Sequence, residues 1–195
     1  MKNEGLRIVI TGPSGVGKDT VMNTVKDRLG DRAQRVVTYT DRSPRPGEVN
    51  HVDYHFISTS AFKEMIEKNE LLEYKDYGGC YKGTAPTSVH VDPGKVLIWR
   101  IDPTMAARVL NRDVPVPNLD DFVRTTVVCY LGVPSLFNLK TRQARRGEKL
   151  DSVRLREDWK VWENHGKIFL EKGHVIINEE GKMEQTVQAI MSLLN

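Results

Sequence analysis

The sequence Gly12–Pro13–Ser14–Gly15–Val16–Gly17–Lys18 lies between an apolar segment, Leu6–Ile10, and a segment with helical periodicity, Asp19–Leu29. The apolar segment is short and rich in β-branched residues, which predicts a buried strand. A glycine-rich turn that joins a strand to a helix and ends in lysine is the pattern of a phosphate-binding loop. Its glycines let several backbone N–H groups point at phosphate oxygens, and the helix N-terminus and the lysine add positive charge. The stretch therefore predicts a site for the phosphates of a nucleoside triphosphate.

The two residues after the lysine concern a metal ion. The motif places Ser or Thr directly after the lysine, where the hydroxyl holds Mg²⁺, but here Asp19 follows and Thr20 comes next. Oxygen ligands suit Mg²⁺. Asp19, partly through water, and Thr20 are therefore the candidate ligands of a Mg²⁺ ion bound with the nucleotide. An acidic residue also stabilises the first turn of a helix, which is the alternative role of Asp19.

Four near-continuous apolar segments predict the core of the fold. They begin at Leu6, Val96, Thr125 and His174, and helical patterns separate them. This alternation predicts an α/β fold with a parallel sheet covered by helices on both faces. Residues 36–95 interrupt it with shorter, more polar elements, among them a strand at Val36–Thr40, and form an insertion mounted on the core.

Composition excludes several classes of protein. The 195 residues suit one domain, and 29 Lys+Arg against 26 Asp+Glu leave a net charge of only +3, which favours neither nucleic acid nor a membrane surface as a partner. No apolar run approaches the ~20 residues of a membrane span. Cys80 and Cys129 are too few for a metal cage or a disulfide framework. The polar N-terminus does not resemble a signal peptide, so a cytoplasmic protein is expected.

A second phosphate site is indicated at Asp41–Glu48. Arg42 and Arg45 lie three residues apart on a segment stiffened by two prolines. Guanidinium groups match phosphate oxygens in a bidentate manner, and a rigid backbone lowers the cost of ordering them. An exposed basic turn is the alternative from these residues alone.

Several linked motifs resemble those of the guanylate kinase family. The resemblance runs over nearly the whole chain and preserves the order and approximate spacing of the motifs. They are Gly12–Lys18, Asp41–Glu48, Asp53–Phe56, Glu73–Tyr74, Lys82–Thr84, Ile101–Asp102, Pro134–Ser135, Arg145–Gly147 and Asn178.

The resemblance implies a P-loop NTPase-type sheet and transfer of the ATP γ-phosphoryl group to GMP, and to dGMP. It implies a core at residues 1–35, 96–134 and 166–195, a GMP-binding region at 36–95 and a lid at 135–165. The implied ATP-binding residues are Gly12, Pro13, Ser14, Gly15, Val16, Gly17, Lys18, Asp19, Thr20 and Asn178. The implied GMP-binding residues are Thr38, Arg42, Arg45, Tyr54, Glu73, Lys82, Thr84 and Asp102. The implied catalytic residues are Lys18, Arg42, Arg142, Arg146 and Arg156.

The chemistry of guanine agrees with two of these assignments. Guanine presents N1–H and N2–H₂ as donors, which the carboxylates of Glu73 and Asp102 can accept, whereas adenine presents an acceptor at N1. The Thr84 hydroxyl can donate to O6. The alternatives are a solvated charge at a helix end for Glu73 and a strand-end cap for Asp102.

The lid sequence is strongly basic. Residues 139–160 contain eight basic and four acidic side chains, so this segment carries +4, more than the whole chain. Two helices around Gly147 would turn arginines toward one cleft. A solvated helix face is the alternative, and it accounts for Lys140, Lys149 and Lys160.

Four positions depart from the family pattern. Lys82 replaces a tyrosine, Arg100 replaces an acidic residue, and Asp19 and Asp41 replace hydroxyl residues. Because alternate residues of a strand share a face, we expect Arg100 to pair with Asp102. These departures keep open a related kinase with another acceptor, such as ribose 1,5-bisphosphate. A non-catalytic binding module is a further alternative, and the sequence is compatible with a monomer or a homodimer.

Overall fold

The computed structural model describes residues 4–76, 79–145 and 152–194. In chain order its elements are β1 (Leu6–Thr11), α1 (Lys18–Leu29), β2 (Ala33–Arg35), β3 (Thr38–Thr40), β4 (Tyr54–Phe56), α2 (Thr59–Glu67), β5 (Glu73–Asp76), β6 (Tyr81–Thr84), β7 (Val96–Arg100), α3 (Pro103–Leu110), α4 (Leu119–Arg124), β8 (Thr126–Gly132), α5 (Leu136–Arg145), α6 (Ser152–Lys172), β9 (His174–Ile177) and α7 (Met183–Ser192). Short 3₁₀ turns follow α1 and β6, at Gly30–Arg32 and Pro86–Val89.

The core of the described chain is a five-stranded sheet in the order β2-β7-β1-β8-β9, and every neighbouring pair is parallel. Alternate residues of β1 point to opposite faces, and all of Ile8, Val9 and Ile10 are fully buried. Ile8 and Ile10 pack with α1 and α7, whereas Val9 packs with α3, α4 and α6. The predicted α/β architecture with helices on both faces is therefore confirmed.

A smaller mixed sheet, in the order β4-β3-β6-β5, lies within the insertion. β3 pairs with β4 in parallel and with β6 in antiparallel fashion, and β6 continues to β5. The strand predicted at Val36–Thr40 is thus shorter, Thr38–Thr40, and belongs to this second sheet. Glu73 lies on β5 next to Lys82 and Thr84 of β6, and Tyr54 lies on β4 at the other edge of the same sheet.

Three elements of the core were not predicted. The pair Asp102–Pro103 begins α3: the Asp102 carboxylate accepts from the Thr104 N–H at 2.9 Å, and Pro103 occupies the first turn. α4 begins in the same way at Asn118, whose side chain accepts from a backbone N–H. β2 is a polar edge strand of three residues, too short to show a pattern.

No helix in residues 4–76, 79–145 and 152–194 combines the length and the apolar character that a membrane span needs.

Candidate active site

The phosphate-binding loop connects β1 to α1, as predicted. Gly12, Gly15 and Gly17 all adopt positive φ angles, which only glycine adopts readily. A side chain at Gly12 would also collide with the Leu131 carbonyl of β8. The Lys18 ammonium donates back to the carbonyls of Gly12 and Pro13, at 2.7 and 2.8 Å. These bonds hold the lysine charge over the loop.

The side chains of Asn178 and Arg142 both donate hydrogen bonds to the backbone of this loop. The buried Asn178 amide donates to the Val16 carbonyl at 2.7 Å, and its oxygen accepts from Thr186 of α7. The Arg142 guanidinium of α5 donates to the same Val16 carbonyl at 2.9 Å and to the Asn178 carbonyl at 2.7 Å. Both residues thus touch the nucleotide loop through its backbone.

A carboxylate of α6 also contacts this loop. Asp158 of α6 accepts a hydrogen bond from the backbone N–H of Ser14 at 2.8 Å. The amides of such a loop are anion sites, so Asp158 occupies a donor that phosphate would use. Sequence reasoning missed this role, because the two residues are 144 positions apart and Asp158 lies in a charged helix that resembles a solvated face.

The arginine loop packs against the small sheet. Arg42 forms a two-point ion pair with Glu48, at 2.6 and 2.7 Å, and its guanidinium lies 5.0 Å from the centre of the Tyr54 ring. Glu48 also accepts from the Arg45 backbone N–H, and these bonds lower the pKa of Glu48 to about 2. Glu48, which sequence reasoning did not single out, therefore fixes the shape of the loop while the Arg45 side chain remains exposed.

Lys82 adjoins Arg42 across the Tyr54 ring. Its ammonium lies 3.3 Å from the Tyr54 hydroxyl and 4.8 Å from the ring centre. Burial acts to raise the pKa of Tyr54, but the hydrogen bond to Lys82 and the charges of Lys82 and Arg42 together lower it. Two cations and a phenol thus converge on one place, which is a suitable site for a phosphate group.

Glu73 and Thr84 form a polar pair on β5 and β6. The fully buried Thr84 hydroxyl donates to the Glu73 carboxylate at 2.7 Å. Burial raises the pKa of Glu73, the Thr84 hydrogen bond opposes this, and the negative charge of Asp102 adds to the rise. The Asp102 carboxylate is therefore close enough to affect the pKa of Glu73, and one of its oxygens accepts hydrogen bonds from the first turn of α3.

Several of these groups line one cleft of about 950 Å³. Its walls include Lys18 of the loop, Thr38 and Tyr54 of the small sheet, and Glu73 and Asp102. Lys82 and the α6 residues Glu157, Asp158 and Val161 also line it. A ligand with phosphates at the loop and a polar base at Glu73 would occupy a single continuous space.

The prediction that Arg100 pairs with Asp102 is wrong. Arg100 instead pairs with Asp19, its Nη1 lying 2.6 Å from Oδ1. Asp102 uses its carboxylate to cap α3, whereas Asp19 in the first turn of α1 lies within reach of the end of β7. The Asp19 carboxylate and the Thr20 hydroxyl are hard oxygen donors beside the loop, so the set fits Mg²⁺.

The resemblance also implies catalytic roles for two further arginines, Arg146 and Arg156. Arg156 lies exposed on α6. Arg146 lies outside the described residues.

Comparison with known proteins assigns the chain to a family. The family model described as guanylate kinase matches residues 5–195. The chain belongs to the guanylate kinase family. A guanylate kinase of Lactobacillus johnsonii is 38% identical over 155 residues, covering 78% of this chain and 71% of that protein. One of Halalkalibacterium halodurans is 34% identical over 195 residues, covering 99% and 89%.

Solved structures support the same fold. A guanylate kinase from Anaplasma phagocytophilum superposes with a TM-score of 0.63 at 22% identity, over 100% of this chain and 86% of that one. A shikimate kinase from Bacteroides thetaiotaomicron gives 0.52 at 16% identity, over 97% and 98%. At these identities the likeness concerns the fold.

Three of the four departures of this chain from the family pattern, Asp19, Lys82 and Arg100, line the cleft. Lys82 lies beside the Tyr54 ring and adds a cation there. Asp41 accepts from the Tyr81 N–H at 2.6 Å and from the Thr59 hydroxyl at 2.8 Å, which is a structural use. Asp19 and Arg100 contact one another.

Proposed function

We propose that this protein transfers the γ-phosphoryl group of ATP to GMP, and to dGMP, giving ADP and GDP or dGDP. The observation that carries the proposal is the single cleft that contains both Lys18 and the Glu73–Asp102 pair. Membership of the guanylate kinase family supports it. Because the reaction consumes ATP, which is abundant in the cytoplasm, we expect the protein to act there.

Glu73 and Asp102 suit the recognition of guanine. Their carboxylates would accept hydrogen bonds from N1–H and N2–H₂. Because a hydroxyl can rotate, Thr84 could donate either to O6 of guanine or to Glu73. Adenine would turn an acceptor toward a carboxylate and leave a buried polar group without a partner. A site of this kind rejects the wrong base by a large factor.

Positioning and charge neutralisation are what phosphoryl transfer requires of the protein. Arg42, Lys82 and Tyr54 would hold the acceptor phosphate, with Arg45 approaching from its loop. Lys18 and the loop amides would hold the donor phosphates, and Arg142 keeps that loop in place through the Val16 carbonyl.

Asp19 and Thr20 are the residues that would hold Mg²⁺, whose charge would offset that of the phosphates. The lid arginines, with Arg146 and Arg156 among them, would approach the transferred group on closure. Closure also excludes water, so that the acceptor is phosphorylated rather than ATP hydrolysed.

An acceptor panel tests the proposal. ADP release from ATP and Mg²⁺ is measured with GMP, dGMP, AMP, UMP, CMP and ribose 1,5-bisphosphate, and Lys18→Met is the control. We expect turnover with GMP and dGMP that falls by at least about a hundredfold in Lys18→Met, since the lysine contacts the transferred phosphate region. Turnover confined to ribose 1,5-bisphosphate would contradict the proposal, and absence of any turnover would favour a binding module.

A further inference from the structure

An ion pair connects the donor and acceptor sides of the cleft. Arg100 is the last residue of β7, two positions before Asp102, and Asp19 directly follows Lys18. Their charged groups approach to 2.6 Å, and both residues line the cleft. The carboxyl ends of parallel strands are where ligands bind in α/β sheets, so the pair lies at the edge of the sheet where a ligand is expected.

A carboxylate at position 19 poses an electrostatic problem for a nucleotide site. The loop motif has an uncharged hydroxyl there, whereas Asp19 adds a negative charge within one residue of the lysine that faces the phosphates. Like charges at such separations repel, although solvent moderates the repulsion because the Asp19 and Arg100 side chains are 71% and 52% exposed. An adjacent guanidinium removes most of this cost, and Arg100 supplies it.

We propose that Asp19 and Arg100 act as one unit in which Arg100 is a positioning residue for the donor nucleotide. It offsets the negative charge of the Asp19 carboxylate and holds that carboxylate beside the end of β7. This inference rests on the proposed function for its ligand, ATP, and adds a determinant of donor affinity. It also connects two departures from the family pattern, 81 residues apart, as one compensated change.

The charges of the two residues predict opposite effects on ATP binding. Arg100→Met leaves Asp19 facing the phosphates, so the Kd for ATP rises. Asp19→Ser leaves the Arg100 charge facing them, so the Kd falls. The double variant returns to the wild-type charge balance, and its Kd returns toward the wild-type value. Arg100→Lys keeps the charge and should stay close to wild type.

The experiment is titration calorimetry of ATP binding to the full chain, in EDTA and again with Mg²⁺. We expect each single variant to change the Kd in EDTA about threefold to fivefold, the range of a partly exposed charge interaction. The effects should shrink in 0.5 M salt, because screening acts on exposed charges. An effect of Asp19→Ser that is present with Mg²⁺ and absent in EDTA would instead assign Asp19 to the metal alone and overturn the proposal.

A matched ion pair controls for changes in helix stability. Arg28 near the other end of α1 pairs with Glu184 of α7. Arg28→Met and Glu184→Ser disturb the same helix but should leave the Kd for ATP unchanged. If Arg100→Met also leaves it unchanged while the wild type binds ATP, the Asp19–Arg100 pair is an ordinary surface contact and the inference fails. If the wild type does not bind ATP, the proposed function fails first.

Discussion

At the scale of single residues, Glu73 shows how a binding site costs stability. Burial and the nearby charge of Asp102 raise the pKa of the Glu73 carboxyl. Its ionised form therefore lowers the free energy of unfolding. Between the ordinary pKa and the raised one, the folded protein binds more protons than the unfolded chain. The free energy of unfolding therefore falls as pH rises through this interval. Recognition of guanine gives a reason for keeping the charge there.

Glu73→Gln should therefore stabilise the protein while it damages GMP binding. Gln can still accept from Thr84, but it presents no charge to N1–H, so we expect the Kd for GMP to rise about ten- to hundredfold. The thermal midpoint at pH 7 should rise, and the gain should disappear below the ordinary pKa of Glu, where Glu73 is also neutral. Calorimetric unfolding across pH 4–8 and GMP titration measure both effects.

Glu70→Gln is the matched control, since Glu70 is an exposed carboxylate three residues earlier. It should change neither quantity. A base-free acceptor, by contrast, would bind Glu73→Gln as well as it binds the wild type, and that result would remove the guanine-reading role.

At the scale of structural elements, a hydrogen bond of Asp158 connects helix α6 to the loop Gly12–Lys18. This carboxylate accepts a hydrogen bond from the Ser14 N–H of the loop at 2.8 Å. Burial raises the pKa of Tyr130, and the negative charge of Asp158 adds to that rise. A nucleotide phosphate needs the same kind of donor, so the contact and the phosphate compete.

Asp158→Asn should bind ATP more tightly than the wild type. The neutral amide can still accept from Ser14 but no longer repels phosphate, so a decrease in Kd of about two- to fivefold is expected. Fluorescence titration with a labelled ATP measures it. Glu163→Gln on the same helix, whose carboxylate accepts from Trp159, is the control. A weaker affinity in Asp158→Asn would show that the carboxylate assists ATP binding instead.

The elements that could be predicted from the sequence are those with a local signal. β1 and β7 are runs of branched apolar residues, and α1 has an apolar stripe that ends at Gly30. The start of α3 has a local signal as well, because Asp102–Pro103 is a capping residue followed by proline. The pairing of Arg100 with Asp19 had none, since strand periodicity brings Arg100 and Asp102 to one face and says nothing of α1.

The same distinction applies to the candidate site. Lys18, Arg42 and Glu73 are found by motif, because phosphate and base recognition require particular residues at particular spacings. The contacts that shape the site are tertiary: Asn178 lies 162 positions from Val16, and Asp158 lies 144 from Ser14. Only the packing of β9 and α6 onto the loop brings these residues together.

At the scale of the whole molecule, the cleft has a consequence for ligands. Lys18 begins α1 beside the five-stranded sheet and Glu73 lies on the four-stranded sheet, yet both line one space of about 950 Å³. A bisubstrate nucleotide, in which a polyphosphate joins adenosine to guanosine, can therefore occupy both halves at once. Linking the two ligands makes the second binding event intramolecular, so we expect a Kd about a hundredfold lower than that for ATP or GMP alone, with one ligand per chain.

Titration calorimetry gives both the Kd and the stoichiometry, and thermal unfolding gives a second measure because ligand binding raises the midpoint. Lys18→Met should weaken the bisubstrate nucleotide at the donor half and Glu73→Gln at the acceptor half, each returning the Kd toward that of a single nucleotide. A stoichiometry of two, or a Kd no better than that of ATP, would mean that the two halves do not bind one ligand together. The proposed arrangement of donor and acceptor in a single cleft would then be wrong.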